Sequence, residues 1–173
     1  MTLRNSLVRL DAMNAADIET VAQLGKIIWH THYSSIISPK QIEYMLSNRY
    51  SPENLRFYLN SGDRWLVLLR IDERAVGYFS YALTGRKDEM KVEQLYLLQE
   101  FQGRGLGSLM LRYVENEAHL RNISSLVLQV NKQNVSAIAF YRKAGFIVRN
   151  EAIFDIGNGF VMDDYVMNKT FQD

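Results

Sequence analysis

Leu95-Tyr96-Leu97-Leu98-Gln99-Glu100-Phe101-Gln102-Gly103-Arg104-Gly105-Leu106-Gly107-Ser108 is the run on which the fold turns. It opens apolar and strand-like, thickens into glycines, and gives way to a helical pattern from Ser108 to about Leu120. Glycine lets the backbone take positive φ and approach a ligand closely. The first turn of a helix presents unpaired N–H groups at the positive end of its dipole, so a strand–glycine–helix junction suits phosphate oxygens.

Several phosphate-binding patterns compete for such a junction. A P-loop needs Gly-Lys-Ser/Thr after its spacer, and no lysine stands in this turn. A dinucleotide fingerprint needs Gly-x-Gly-x-x-Gly, whereas here Gly103-x-Gly105-x-Gly107 is followed by Ser108. Neither fits. Gln-x-x-Gly-x-Gly is met without gaps by Gln102, Gly105 and Gly107. An ordinary strand–helix junction that has collected glycines is the plainer alternative.

Outward toward the N-terminus, Lys91–Leu98, Ala75–Leu83 and Trp65–Arg70 read as strands, the last two joined by Asp72-Glu73-Arg74. Before them, Ser38-Pro39 and Ser51-Pro52 each mark a helix start, so both prolines of the chain stand at first-turn positions. Ala15 to about His32 carries Ile18, Val21, Leu24, Ile28 and Trp29 at helical spacing, with Asn14 as N-cap and Asp17 in the first turn. Ser6–Leu10 reads as a first strand. Toward the C-terminus, Ser124–Val130 is a short buried strand and Asn134–Ala144 a helix closed by Gly145. Phe146–Phe154 and Phe160–Lys169 are strands around Gly157-Asn158-Gly159. In shorthand the order is β-α-α-β-β-β-α-β-α-β-β, with the short segment after Ser51-Pro52 not counted separately. That order predicts an α/β fold with a mixed, mostly antiparallel sheet of about seven strands flanked by helices.

Composition bounds the function. The chain has 173 residues with 47% hydrophobic and 23% charged, which fits one domain over 1–173 with a sizeable core. Twenty basic against 19 acidic residues leave +1, without the basic excess of a nucleic-acid binder. The absence of cysteine removes disulfides, thiolate metal sites and cysteine nucleophiles. Met1–Ser6 has no apolar run of the export type and no stretch is long enough to cross a bilayer. The expectation is a cytoplasmic domain that works on neither membrane nor nucleic acid and holds no metal.

A second segment joins the glycine turn. Asn131, Asn134, Ala137, Ile138, Phe140, Tyr141 and Gly145-Phe146 fall in Asn-x-x-Asn-x-x-Ala-Ile-x-Phe-Tyr-x-Lys-Ala-Gly-Phe. Together the two segments resemble the GNAT superfamily of N-acetyltransferases, most strongly over residues 91–146. The resemblance implies acetyl-CoA as co-substrate and direct attack of an amine on its thioester. It assigns the diphosphate to the turn, with Leu97, Gln102, Gly103, Arg104, Gly105, Leu106, Gly107 and Ser108 around the cofactor. It assigns Asn134 to the pantetheine arm, Lys143 to phosphate, and Tyr141 to both the cofactor and the departing sulfur.

The same resemblance implies a carboxylate base on the strand before the turn, where Glu93 stands, and a backbone N–H between Tyr96 and Leu98 for the oxyanion. An alkylammonium with a pKa near 10.4 is only about one part in a thousand neutral at pH 7, so a proton acceptor or water chain is required. Ribosomal-protein acetyltransferases of the family carry a Glu on the following strand; here that strand holds Gln129, which accepts no proton. Each role has a plainer alternative: Tyr141 a core ring, Glu93 a solvated edge residue, Lys143 a solvated helix lysine.

Acceptor choice falls to the helices over residues 15–60 and to the last hairpin. Trp29, Tyr33 and Tyr44, with His30, His32, Gln41 and Met45, suit a slot for an aliphatic amine, and Asp164 adds a carboxylate on the final strand. The segments 29–45 and 156–167 resemble bacterial polyamine (spermidine/spermine) acetyltransferases. The expected acceptor is therefore the primary amine of a small molecule, a polyamine being one candidate. Acetylation of a protein N-terminus or lysine, and a non-catalytic acyl-CoA-binding module, are the alternatives. A homodimer is the expectation for assembly.

Overall fold

Short local signals set the helix starts. Ser38 and Ser51 are extended, and their hydroxyls accept from the N–H groups of Gln41 (3.2 Å) and Asn54 (3.2 Å). Each proline then enters the first helical turn, where its missing N–H costs nothing. A computed structural model of the chain describes residues 6–171, and the helices are α1 (Ile18–His32), α2 (Pro39–Arg49), α3 (Pro52–Asn60), α4 (Leu106–Leu120) and α5 (Val135–Lys143). Asn14 caps as expected, accepting from Ala16 N at 2.9 Å while Asp17 accepts from Asn14 N at 3.1 Å. The residues it caps, Ala15–Asp17, form a tighter turn before α1. The segment after Ser51 is a helix, as its Ser-Pro start predicts, so three helices precede the second strand.

The strands are β1 (Val8–Ala12), β2 (Arg64–Ile71), β3 (Arg74–Leu83), β4 (Glu89–Leu97), β5 (Ser125–Asn131), β6 (Ile147–Gly157) and β7 (Phe160–Thr170). The first strand starts two residues later than the Ser6–Leu10 expectation, and Met1–Asn5 lie outside the described residues. The strands form one seven-stranded sheet in the order β1-β2-β3-β4-β5-β7-β6 within a mixed α/β domain, as the sequence predicts. β4 and β5 pair in parallel, whereas β1–β2, β5–β7 and β6–β7 are antiparallel. Residues Val76–Ala82 of β3 are all buried, the pattern of a central strand covered on both faces, and β6 at the sheet's end keeps exposed positions along its length.

Two compact units divide the chain: Met1–Tyr81 with Gln94–Arg112, and Ala82–Glu93 with Tyr113–Asp173. The first has its core in Trp29, Ile42, Leu55, Leu68, Leu69, Tyr78 and Phe79. Burying side chains of this size contributes about 1.5–3 kcal/mol each against leaving them exposed. Gly25 of α1 leaves room for that packing, because a Cβ there would lie 2.9 Å from the Tyr50 ring. In the second unit Met90, Val114, Ala118, Leu126, Phe146 and Met167 form the core. Lys169 Nζ pairs there with Glu115 at 2.7 Å, and Arg149 with the largely buried Glu89 at 2.7 Å. Among the described residues no helix is long and apolar enough to cross a membrane, and no group of His, Asp or Glu is arranged to hold a metal ion.

Candidate active site

The glycine turn of the first unit has the conformation its composition demands. Gly103 and Gly105 take φ of +73° and +78°, in the left-handed region, and a Cβ at either would meet nothing within 4 Å. The backbone is thus bare and open at both positions. A short tight turn, Gln99–Phe101, closes β4, and Gln102 Nε2 donates to Leu97 O at 3.4 Å, tying the turn back to the strand end. The helix then begins at Leu106, with Leu109 N donating to Gly105 O at 3.1 Å. By helix geometry the N–H groups of Leu106, Gly107 and Ser108 have no carbonyl one turn earlier and stand at the positive end of the dipole. The helix starts two residues before the expected Ser108, which brings Gly107 into its first turn. Leu106 itself buries its side chain, leaving only its backbone for a ligand, while Ser108 is exposed. Arg104 is exposed, its guanidinium 5.5 Å from the Phe101 ring centre.

The end of β4 is constrained from β3. A Cβ on Gly77 would lie 2.5 Å from Tyr96 O and 2.7 Å from Leu97 Cδ2, so only glycine permits this approach. Leu98 N, one of the amides the sequence offers for an oxyanion, already donates to Val76 O at 2.9 Å.

Beside that strand end lies a network the sequence did not announce. Tyr78 donates its hydroxyl to Tyr50 Oη at 2.5 Å, Trp29 Nε1 donates to the same oxygen at 3.1 Å, and Tyr50 donates to Gln94 Oε1 at 2.7 Å. Gln94 Nε2 then donates to Tyr58 Oη at 3.1 Å. Tyr33 and Tyr96 share a hydroxyl contact at 3.3 Å, and Tyr33 stacks on Trp29 with ring centres 4.5 Å apart. Burial raises the Tyr50 and Tyr78 phenols well above their ordinary value, so both stay protonated hydrogen-bond donors.

Of the residues assigned to the acceptor, Trp29 and Tyr33 belong to this network, and Trp29 is a wall beneath it at 1% exposure. Tyr44 is half-buried on α2. Sequence reasoning missed Tyr50, Tyr78, Gln94 and Tyr96. The available signal was the number of tyrosines at apolar positions, since each hydroxyl needs a partner when its ring is buried.

In the second unit, Asn134 caps α5: its Oδ1 accepts from Ala137 N and Ser136 Oγ, both at 3.3 Å. The cap employs the oxygen, so the side-chain NH2 is the end that suits a ligand carbonyl. Tyr141 is 9% exposed, its ring 5.6 Å from Phe146 and 5.1 Å from Phe140 by centres. Lys143 is exposed at the last residue of α5. Glu93 is half-buried on β4, one residue from the fully engaged Gln94 and so on the opposite strand face. Gln129 accepts from Lys91 Nζ at 3.0 Å. Asp164 is only 6% exposed and pairs in register with Asn131 and Ala152, because β7 lies inside the sheet; it is not part of the hairpin turn.

The sequence profile of the acetyltransferase (GNAT) family matches residues 25–146, spanning both the glycine turn and the Asn134–Phe146 segment. The chain belongs to this family. It is an acetyl-CoA-dependent N-acetyltransferase, an acyltransferase. A spermidine N(1)-acetyltransferase of Thermoplasma acidophilum is 25% identical over 160 residues, 90% of this chain and 96% of the relative. A [ribosomal protein bS18]-alanine N-acetyltransferase of Salmonella typhimurium is 36% identical over 98 residues, 56% of this chain and 62% of the relative. A spermine/spermidine N(1)-acetyltransferase of Bacillus subtilis is 25% identical over 129 residues, 69% of this chain and 81% of the relative. The crystal structure of an N-acetyltransferase from Thermoplasma acidophilum in complex with coenzyme A superposes with a TM-score of 0.81 at 22% identity, covering 95% of this chain and 99% of that one. The shared fold is thus one that carries coenzyme A in a solved relative.

Proposed function

We propose that this acetyltransferase transfers its acetyl group to the primary amine of a small molecule, by direct attack of the amine nitrogen on the thioester carbon. The observation that carries the acetyl-CoA half is the pair of left-handed, open glycines leading into the first turn of α4. Main-chain amides of residues 103–108 bind the diphosphate oxygens, and Arg104 adds a charge at the rim.

In the chemical step the nitrogen–carbon bond forms, the oxyanion collapses, the carbon–sulfur bond breaks, and the ammonium proton leaves for a base. Glu93 or a water it holds takes that proton in this reading. An ordinary phenol near 10 is a weaker acid than a thiol near 8.5, so complete proton transfer from Tyr141 to the thiolate is uphill by about 2 kcal/mol. Tyr141 therefore acts by hydrogen-bonding the sulfur as charge develops there. Asn134 holds the pantetheine arm through its side-chain NH2, and Lys143 meets phosphate.

Spermidine-type acceptors have the support of the full-length Thermoplasma acidophilum relative, whose name carries that substrate. A protein N-terminal amine is the second reading, favoured by the 36% match to the alanine N-acetyltransferase and weakened by Gln129, which accepts no proton. Trp29, Tyr33 and Tyr44 line the acceptor side in either reading, with Asp164 contributing charge. The enzyme works in the cytoplasm, as a monomer or homodimer.

The test is thiol release from acetyl-CoA over a panel of small amines and peptides. Release with small amines and not with peptides supports the reading. Release with peptides alone overturns it in favour of the second, and coenzyme A binding without any release makes the chain a binding module.

A further inference from the structure

The second unit carries an open cleft of about 300 Å³ that acetyl transfer leaves without a task. That volume stands at the lower end of small-molecule sites. The sheet register places it. Glu89 of β4 pairs with Ser125 of β5, and Ser125 with Thr170 of β7, so the three form a row across the sheet with their side chains on one face. Asn168, two residues before Thr170, lies on that face too. α4 covers the other face, where Lys169 meets Glu115. β5 runs from Ser125 to Asn131, so about 20 Å of strand separates the cleft from the end of β5 that leads to the Asn134 cap.

Two arginines line the cleft. Arg149 stands at an irregularity of β6: Val148 faces Met167 and Asn150 faces Val166, which makes Arg149 the extra residue of a bulge. A bulge re-aims the side chain it carries. The guanidinium reaches Glu89, three places away in the strand order, at 2.7 Å. Arg86, in the loop before β4, has its Nε 3.6 Å from Asp88 Oδ1, both side chains being largely exposed.

What this lining holds in excess is hydrogen-bond donors. A guanidinium has five N–H groups, and Arg149 uses one of them on Glu89. Four donors crowd the Asp88 carbonyl oxygen: the N–H groups of Ser124 (3.2 Å) and Ser125 (3.1 Å), and the hydroxyls of Ser124 (3.4 Å) and Ser125 (3.0 Å). A carbonyl oxygen has two lone pairs, so the hydroxyls there are surplus. The Asn168 amide and the Thr170 hydroxyl have no hydrogen-bond partner among the described residues. Both carboxylates are turned to arginines, so the charges cancel and the free capacity is that of donors.

We infer that this cleft binds the oxyanion of a small molecule, a phosphate or carboxylate group, at a site that shares no residue with the glycine turn or α5. Arg149 and Arg86 present planar forks that match such a group in parallel hydrogen bonds. The hydroxyls of Ser124, Ser125 and Thr170 and the NH2 of Asn168 complete the shell. An ammonium without an anion fits poorly, because it brings only donors to a lining whose carboxylates already hold arginines.

The experiment is calorimetry on the full chain with inorganic phosphate, glucose 6-phosphate, succinate and, as the uncharged control, glucose, each with and without saturating coenzyme A. Heat from a phosphate probe or from succinate persists beside coenzyme A, glucose gives none, and the probe that responds identifies phosphate or carboxylate as the group. Arg86→Gln weakens that binding about tenfold or more, the loss of a hydrogen bond to a charged group. Arg149→Lys, which keeps the pair with Glu89 and loses the fork, does the same, while the thermal midpoint of Arg86→Gln is unchanged. In amide NMR spectra the resonances of Ser124, Ser125 and Thr170 shift with the probe and those of residues 103–108 do not. Heat with none of the probes, heat abolished by coenzyme A, or an affinity that neither arginine variant moves overturns the inference. Should coenzyme A itself not bind, the reading of the glycine turn fails, and the shifts at Ser124, Ser125 and Thr170 still decide for or against the cleft.

Discussion

The Tyr50 hydroxyl donates to Gln94 Oε1 across 2.7 Å, and that bond sets the direction of the others around it. A hydroxyl has one proton. With it given to Gln94, the oxygen must accept from Trp29 Nε1 and from Tyr78 Oη, and Gln94 must turn its NH2 toward Tyr58. The hub thereby makes one donor and two acceptor bonds, the full capacity of a phenol oxygen. Because β4 supplies Gln94 and then Tyr96, the same network fixes the strand end that leads to the glycine turn.

Tyr50→Phe leaves the Trp29 N–H, the Tyr78 O–H and the Gln94 carbonyl oxygen without their partner at once. Each unsatisfied buried group costs about 1–3 kcal/mol. The expected loss is about 3 kcal/mol or more, measured by urea unfolding, and it should exceed the loss for Tyr78→Phe, which removes one bond and costs about 1 kcal/mol. Equal losses would mean that Tyr50 is not the hub.

The Tyr50 and Tyr78 phenols make stability fall at alkaline pH. Both are held above the ordinary value of 10.0 chiefly by loss of hydration in the core. The unfolded chain releases these protons above that pH while the folded chain keeps them, so the unfolded state binds fewer protons and stability declines as pH rises. Their contribution is whole below the unfolded value and is lost progressively toward the folded ones, at about 1.4 kcal/mol per pH unit for each phenol. Urea midpoints at about pH 9 and about pH 11, read beside phenolate absorbance, check it: native Tyr50 and Tyr78 should ionise only as the chain unfolds.

Gly105→Ala tests the glycine turn. The left-handed backbone there costs an L-residue about 1–2 kcal/mol, or about 3–6 °C in thermal midpoint for a chain of this size. The new methyl stands where the diphosphate would approach, so coenzyme A affinity by calorimetry should fall about tenfold or more. Gly62→Ala, at an equally open position without positive φ, should change neither quantity.

Tyr141→Phe keeps the ring against Phe146 and removes only the hydroxyl. The expected result is a kcat about 100-fold lower or more, with the thermal midpoint held within a few degrees. Unchanged turnover on the best amine would remove Tyr141 from the chemistry and leave it a core residue.

What the sequence determined by itself was whatever depends on neighbours along the chain. The Ser-Pro pairs set the starts of α2 and α3, Asn14 with Asp17 set the approach to α1, and glycine spacing set the turn after β4. The order of strands and helices followed from alternation and periodicity, because those patterns arise from backbone geometry alone. Only the tertiary structure decided the buried aromatic network. Trp29, Tyr50, Tyr78 and Gln94 come from a helix, a helix end and two strands, and no local pattern says that their polar atoms meet. Asp164 stands on the final strand as the sequence suggests, but only the position of β7 between β5 and β6 buries it. A hydrogen bond between distant residues depends on where the sheet and helices bring them, and that position is set by the packing of the whole core.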